Sequence, residues 1–142
     1  MNSTATIFVR MTGDATLTGL LDTHEGVPAI FSERAPDAYA IGPKPCLVIA
    51  APSLDIPLET FTETGRFIEQ DVRGYAPDTG SSAALDTVMR RVRTLFHNGP
   101  GSLTVTGGTA EISTVTGPVA SPTTDPALIG RRVTLRLELQ EA

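Results

Sequence analysis

Residues 131–140, RRVTLRLELQ, alternate without a fault: Val133, Leu135, Leu137 and Leu139 fall on one side of an extended chain, Thr134, Arg136, Glu138 and Gln140 on the other. A period of two over that length specifies a half-buried β-strand, whose apolar side needs a second layer to lie against. Between Ser82 and His97, Leu85, Val88, Val92, Leu95 and Phe96 recur at helical spacing, so the chain also holds an amphipathic helix with an apolar face that a sheet can bury. The linker APDTGSS before it carries turn and helix-start signals. Asn98, Gly99 and Pro100 end it, Gly99 supplying the left-handed conformation that closes a helix. Arg90, Arg91 and Arg93 lie toward the end where the helix dipole favours positive charge. Aromatic residues make up 5% and Trp is absent, so the core is expected from Val, Ile, Leu and Ala. Twenty threonines, 13 glycines and 11 prolines favour strands and turns over a helical bundle. At 142 residues the expectation is one domain over 1–142, large enough to hide about 70% of the surface its unfolded form exposes.

The rest of the chain can be read around those two elements. Ile7, Phe8, Met11, Leu17, Leu20 and Leu21 share a helical face if the helix breaks near Gly13, with Asp14 capping the second piece. Val27 to Ser32 reads as one short strand. Arg34 to Pro45 holds three prolines and is an extended loop leading into the strand Cys46 to Ala51. That strand has no polar face, which places it centrally, with helices on one side and another layer or a neighbouring subunit on the other. Thr64 to Tyr75 is a strand with Ile68, Gln70 and Val72 on one face and Glu69, Asp71 and Arg73 on the wetter one. Gly107 and Gly108 join two further strands as a hairpin. Residues 117–130, with three prolines, read as a loop.

Composition and motifs exclude more than they suggest. A net charge of −5 argues against a protein whose main task is coating nucleic acid. The single Cys46 rules out an intramolecular disulfide and reads as a small buried hydrophobe. The N-terminal apolar run Ile7 to Val9 is too short for a signal sequence, and no stretch approaches a membrane span, so a soluble protein is expected. His24 and His97 have no Cys or carboxylate at metal-ligand spacing, and no nucleophile elbow or phosphate loop is present. No catalytic residue, metal or cofactor is expected. Glu59, Glu63, Glu69 and Asp71 crowd one stretch, interleaved with Thr and Arg, and read as a solvated or interface face rather than an acid–base pair.

The segment Leu54 to Gly65 stands apart. Pro52 and Pro57 lack ladder donors and keep it out of mid-sheet, so an edge or projecting arm is expected; the alternative is that it folds back on its own sheet. As an arm it offers Leu54, Ile56, Leu58 and Phe61 to a neighbour, while Glu59 and Glu63 face arginines such as Arg90, Arg91 or Arg131 on an adjacent copy.

The order of a helix, a short strand, FSERAPDAYAIGPKPCLVIAAP, GRFIEQDVRGYA, SSAALDTVMRRVRTLFHN and RRVTLRLELQ resembles the tail terminator or tail completion proteins of long-tailed bacteriophages and gene transfer agents. The proline-rich approach to Pro45–Ile49, the strand Ile68–Tyr75, the helix that follows a turn and small residues, and the last strand Val133–Leu139 carry the likeness. It spans most of the chain and is weakest over residues 102–126. The resemblance implies an α+β fold: a single mixed, mainly antiparallel β-sheet with helices packed on one face. It implies a virion protein, a hexamer whose ring caps the tail tube, stops its polymerisation and meets the neck or connector proteins of the head, with DNA free to pass through. No membrane and no sequence-specific nucleic acid enters this reading. Two rivals share the size and the lack of catalytic motif: another head–tail connector or head-completion protein, and a small-ligand module or enzyme, which requires a pocket with convergent polar groups.

Overall fold

The computed structural model describes the backbone over residues 3–59, 64–97, 102–105 and 108–141. Helix α1 (Ser3–Thr12) and helix α2 (Ala15–Leu20) are the two halves of the expected interrupted helix. The break falls at Gly13, and Asp14 is the N-cap of α2, its carboxylate accepting the Leu17 N–H at 3.2 Å. Ile7, Met11, Leu17 and Leu21 are buried as the helical spacing requires, but Phe8 turns outward and stays partly exposed.

The single strand expected over Val27–Ser32 is two. Strand β1 (Thr23–His24) and strand β2 (Val27–Pro28) form a small hairpin around Glu25 and Gly26, both at positive φ. Strand β3 (Ile30–Ser32) instead joins the main sheet, parallel to strand β4 (Cys46–Ile49). Ala29 separates them because its N–H donates to Asp22 and its carbonyl accepts from Leu47, tying one sheet to the other.

The main sheet runs β3-β4-β6-β9-β8-β7, with strand β5 (Leu54–Glu59) paired to strand β6 (Thr64–Pro77) off that path. Strands β7 (Ser102–Val105), β8 (Gly108–Ala120) and β9 (Leu128–Glu141) complete it, and every pairing except β3 with β4 is antiparallel. This is the expected mixed, mainly antiparallel α+β sheet. Residues 117–120, expected in a loop, belong to β8. Pro118 is accommodated because a register shift between Thr116 and Val119 falls there, where β7 no longer pairs with β8 and the missing donor faces no neighbour.

Helix α3 (Ala83–His97) lies across the sheet and buries Leu85, Val88, Met89, Val92 and Phe96. With Ile7, Met11 and Leu17 of the first two helices, it covers the face formed by Leu47, Ile49, Ile68, Val72, Val133, Leu135, Leu137 and Leu139, all in one hydrophobic cluster. The helix comes close to the sheet at Gly74, where an added Cβ would stand 2.5 Å from the Met89 sulfur and 2.9 Å from a Leu85 methyl. Arg10 draws α1 against the end of α3, donating to the Leu95 carbonyl at 3.1 Å with its guanidinium 6.0 Å from the Phe96 ring centroid. The expected closure of α3 at Gly99 lies outside the described residues.

A polar side chain enters this interior. Gln70 is fully buried on the helix-facing side of β6. Its amide oxygen accepts from the Ser3 hydroxyl at 2.8 Å, and its amide nitrogen donates to Thr4 Oγ1 at 2.6 Å and to the Ala50 carbonyl at 2.8 Å. The bonds fasten the first turn of α1 to the sheet and satisfy a group that would otherwise be costly to bury.

Candidate assembly surface

The face of the sheet opposite the helices carries the wetter residues of β6 and β9. Glu69 and Arg136 pair across the strands at 3.1 Å, and the Thr134 hydroxyl donates to Asp71 at 2.7 Å. Arg73 lies 3.8 Å from Asp71 and directly opposite Arg132 in the ladder, two like charges at one register position. Among the described residues the buried Nε of Arg73 has no hydrogen-bond partner.

One end of this face is the β5–β6 hairpin. Leu54 pairs with Glu69 and Ile56 with Phe67, so both apolar side chains share the outer face, 37% and 45% exposed. Pro57 sits on the free edge, where no ladder donor is required. Asp55 holds Arg66 by a two-pronged ion pair across the hairpin. The segment therefore folds back on its own sheet as an edge strand, the alternative to the expected projecting arm, with Leu54 and Ile56 still partly exposed on the outer face. The side chains of Leu58 and Glu59, and all of Phe61 and Glu63, lie outside the described residues.

Of the three candidate arginines, two have partners in their own chain. Arg91 places its guanidinium fork on Asp14, Nε to Oδ2 at 2.8 Å and a terminal nitrogen to Oδ1 at 2.9 Å. The Arg91 fork holds the Asp14 carboxyl below the usual carboxylate range despite burial, and the carboxylate raises Arg91 in turn. Arg131 lies 3.3 Å from Asp86 on α3 and donates to the Gly130 carbonyl at 2.9 Å. Arg90 is exposed on α3.

The other end of the outer face is covered by the proline-rich loop. Cys46 and Val48 are buried on this side of β4, and what covers them is the chain's own layer, residues 33–41. Tyr39 anchors the loop: its hydroxyl donates to Asp22 at 2.8 Å, and its ring meets His24 at 5.3 Å and Phe31 at 4.9 Å between centroids. Gly42 N–H also donates to Asp22. Burial alone would raise the Asp22 carboxyl, but the bonds from Tyr39, Gly42 and Thr23 outweigh it and hold it below its ordinary value. Burial, with the bond to Asp22, pushes the Tyr39 phenol up. Burial likewise pushes the Cys46 thiol up to about 11, so it stays protonated and inert at neutral pH.

Between loop and sheet remains a cavity of about 460 Å³, floored by Cys46, Val48, Tyr75 and Leu128 and rimmed by Arg34 and Arg73, with Glu33 and Asp125 also lining it. No sequence periodicity announced it, because its walls come from the loop, β4, β6 and the turn before β9. The aromatic cluster of His24, Phe31 and Tyr39 was equally invisible, its members lying on three separate elements. The Cys46 thiol and the Tyr39 phenol that line it both stay protonated at neutral pH.

The sequence matches no protein-family model and no curated protein. The fold does have a solved counterpart: a chain in the virion of a native gene transfer agent (GTA) particle superposes with a TM-score of 0.69 at 14% identity, covering 98% of this chain and 93% of that one.

Proposed function

We propose that this chain is a structural protein of a virion, a tail terminator that assembles as a six-membered ring on the end of a tail tube, stops tube growth and joins the tube to the neck of the head. The observation that carries this reading is the end-to-end correspondence of its fold with a gene transfer agent virion chain, 98% of one over 93% of the other. The sequence resemblance to tail terminators points the same way from short motifs in β4, β6, α3 and β9. The surface agrees in kind: an edge strand displaying Leu54 and Ile56 to solvent suits a subunit whose neighbours complete its burial.

In this reading the chain is not an enzyme and needs no cofactor. Its partners are further copies of itself, the tube protein and the neck proteins, with DNA passing through the ring. Leu54, Ile56, Leu58, Glu59, Phe61 and Glu63 of the arm, and Arg90 on α3, are its contact residues.

The test is mass and shape. The purified chain should give a species six times 14.9 kDa, about 89 kDa, by native mass spectrometry. Electron micrographs should show a ring, and labelled antibody should mark the head–tail junction of particles. A chain monomeric in assembled particles, or label on the head shell or the distal tail, overturns the assignment.

A further inference from the structure

Residues 34–44 cover the outer side of β4 without belonging to the core. None of them is buried, and the cavity of about 460 Å³ lies between them and the sheet, so their packing onto Cys46 and Val48 is incomplete. Backbone bonds fix the segment at its two ends. Glu33 N–H donates to the Ile49 carbonyl at 2.7 Å and Arg34 N–H to the Ser32 carbonyl at 2.8 Å, while the Pro45 carbonyl accepts from Asp22 N–H at 2.9 Å. Inside the segment, Tyr39 N–H donates to the Pro36 carbonyl at 2.9 Å, and Pro36 and Pro43 restrict the backbone on either side of that turn, which stiffens it.

Between those ends, two hydrogen bonds tie residues 35–44 to the rest of the chain among the described residues, and both finish on one atom. Asp22 Oδ2 accepts from the Tyr39 hydroxyl at 2.8 Å and from Gly42 N–H at 3.0 Å. Gly42 has to be small to come so near, since an added Cβ would stand 3.0 Å from that same oxygen. A stiff cover with fixed ends, no buried residue and one interior fastening opens at far lower cost than the core, because little besides that fastening must be broken.

We infer that residues 34–44 form a strap latched by the Asp22 carboxylate, which acid releases to uncover the outer side of β4 while the rest of the fold stays intact. The charge is what makes the latch strong, as an ionised oxygen accepts two donors better than a protonated one. Asp22 is held below its ordinary value in the closed form by the bonds from Tyr39, Gly42 and Thr23 and by the Lys44 ammonium, against burial. The latch is therefore fully present above the open-state value of about 3.9 and is lost as pH falls through the lower closed-state value. His24 also touches the latch, its ring 5.3 Å from that of Tyr39, and Glu25 lies 3.9 Å from His24 Nε2. Around the cavity the other charged groups are Glu33, Arg34, Arg73 and Asp125, and the Cys46 thiol stands next to the Tyr39 hydroxyl.

Cys46, 3% exposed beneath the strap, is the reporter. The probe is a pyridyl disulfide, which stays reactive in acid, and each rate is divided by that of the denaturant-unfolded chain at the same pH. This ratio should be small at about pH 6 and rise about tenfold or more by about pH 3, with the far-ultraviolet circular dichroism of the full chain unchanged. Asp22→Asn should raise the ratio at about pH 6 and flatten its pH profile. Tyr39→Phe, which keeps the ring and removes one of the two bonds, should raise the ratio at about pH 6 about tenfold and shrink the acid rise, and it carries the test if the Asn variant does not fold. Asp14→Asn and His24→Phe should keep the acid rise. A ratio that does not climb in acid before the circular dichroism changes overturns the strap. A climb that survives in Asp22→Asn, or that disappears in Asp14→Asn or His24→Phe, overturns Asp22 as its latch.

Discussion

At the break between α1 and α2, the carboxylate of Asp14 caps one helix and grips Arg91 on another. Its folded pKa is depressed, chiefly by the Arg91 fork, so the stability it contributes is fully present above the unfolded value of about 3.9 and is lost as pH falls through the lower folded value. Asp14→Asn keeps a competent cap without the charge, whereas Asp14→Ala loses both. Urea unfolding at neutral pH should therefore rank parent above Asn above Ala, the lost cap alone costing about 1 kcal/mol. The gap between parent and Asn variant should close in acid. Gln70 is the second residue with consequences out of proportion to its size. Gln70→Leu leaves the Ser3 hydroxyl and the Ala50 carbonyl without their buried partner and should cost about 1–3 kcal/mol. Adding Ser3→Ala should then cost less than it does in the parent, a coupling that a double-mutant cycle reads directly.

Among the elements, the contact of α3 with β6 depends on an absent side chain. Gly74 lets the helix descend until Met89 and Leu85 occupy the space a Cβ would take. Gly74→Ala meets the flexible end of Met89 first and can be partly absorbed by it. Gly74→Val adds branches against both neighbours and should destabilise by about 1–3 kcal/mol, more than Ala, in denaturant melts that retain the helical circular-dichroism signal before the transition. Strand β8 illustrates a second element-level rule: a proline tolerated where pairing has stopped on one side and the register shifts on the other. By the same logic Pro57 marks β5 as an edge that remains open for a neighbour.

Over the whole molecule, the two faces of the sheet are used differently. The helix side holds one hydrophobic cluster, and the opposite side divides into a covered end under the proline-rich loop and an open end at the arm. Cys46 reports on the covered end. At 3% exposure, with its thiol pushed up to about 11, it should resist a thiol reagent in the native chain and react fully in denaturant. Rapid modification of the native chain would show that loop and sheet separate readily and that the covering layer is not a stable part of the fold. Oxidant and alkylating treatment of native chains should leave assembly unchanged for the same reason.

The sequence by itself determined what periodicity and backbone chemistry can express. The strands carrying Val133 to Leu139 and Ile68 to Val72, the stripe from Leu85 to Phe96, the helix break at Gly13 with its Asp14 cap, and the exclusion of Pro57 from mid-sheet were all legible, because each follows from near neighbours in the chain. It misjudged Phe8, which shares a helical spacing with buried residues but points past the sheet, and it ran β2 and β3 together because nothing local shows Ala29 bonding in two directions. The tertiary structure alone decided the rest. Arg91 finds Asp14 across 77 positions, Gln70 finds Ser3 across 67, and Tyr39 closes a cavity whose walls come from four parts of the chain. Side chains brought together over such separations leave no periodic trace in the sequence, since their proximity is a property of how the layers stack and not of the residues between them.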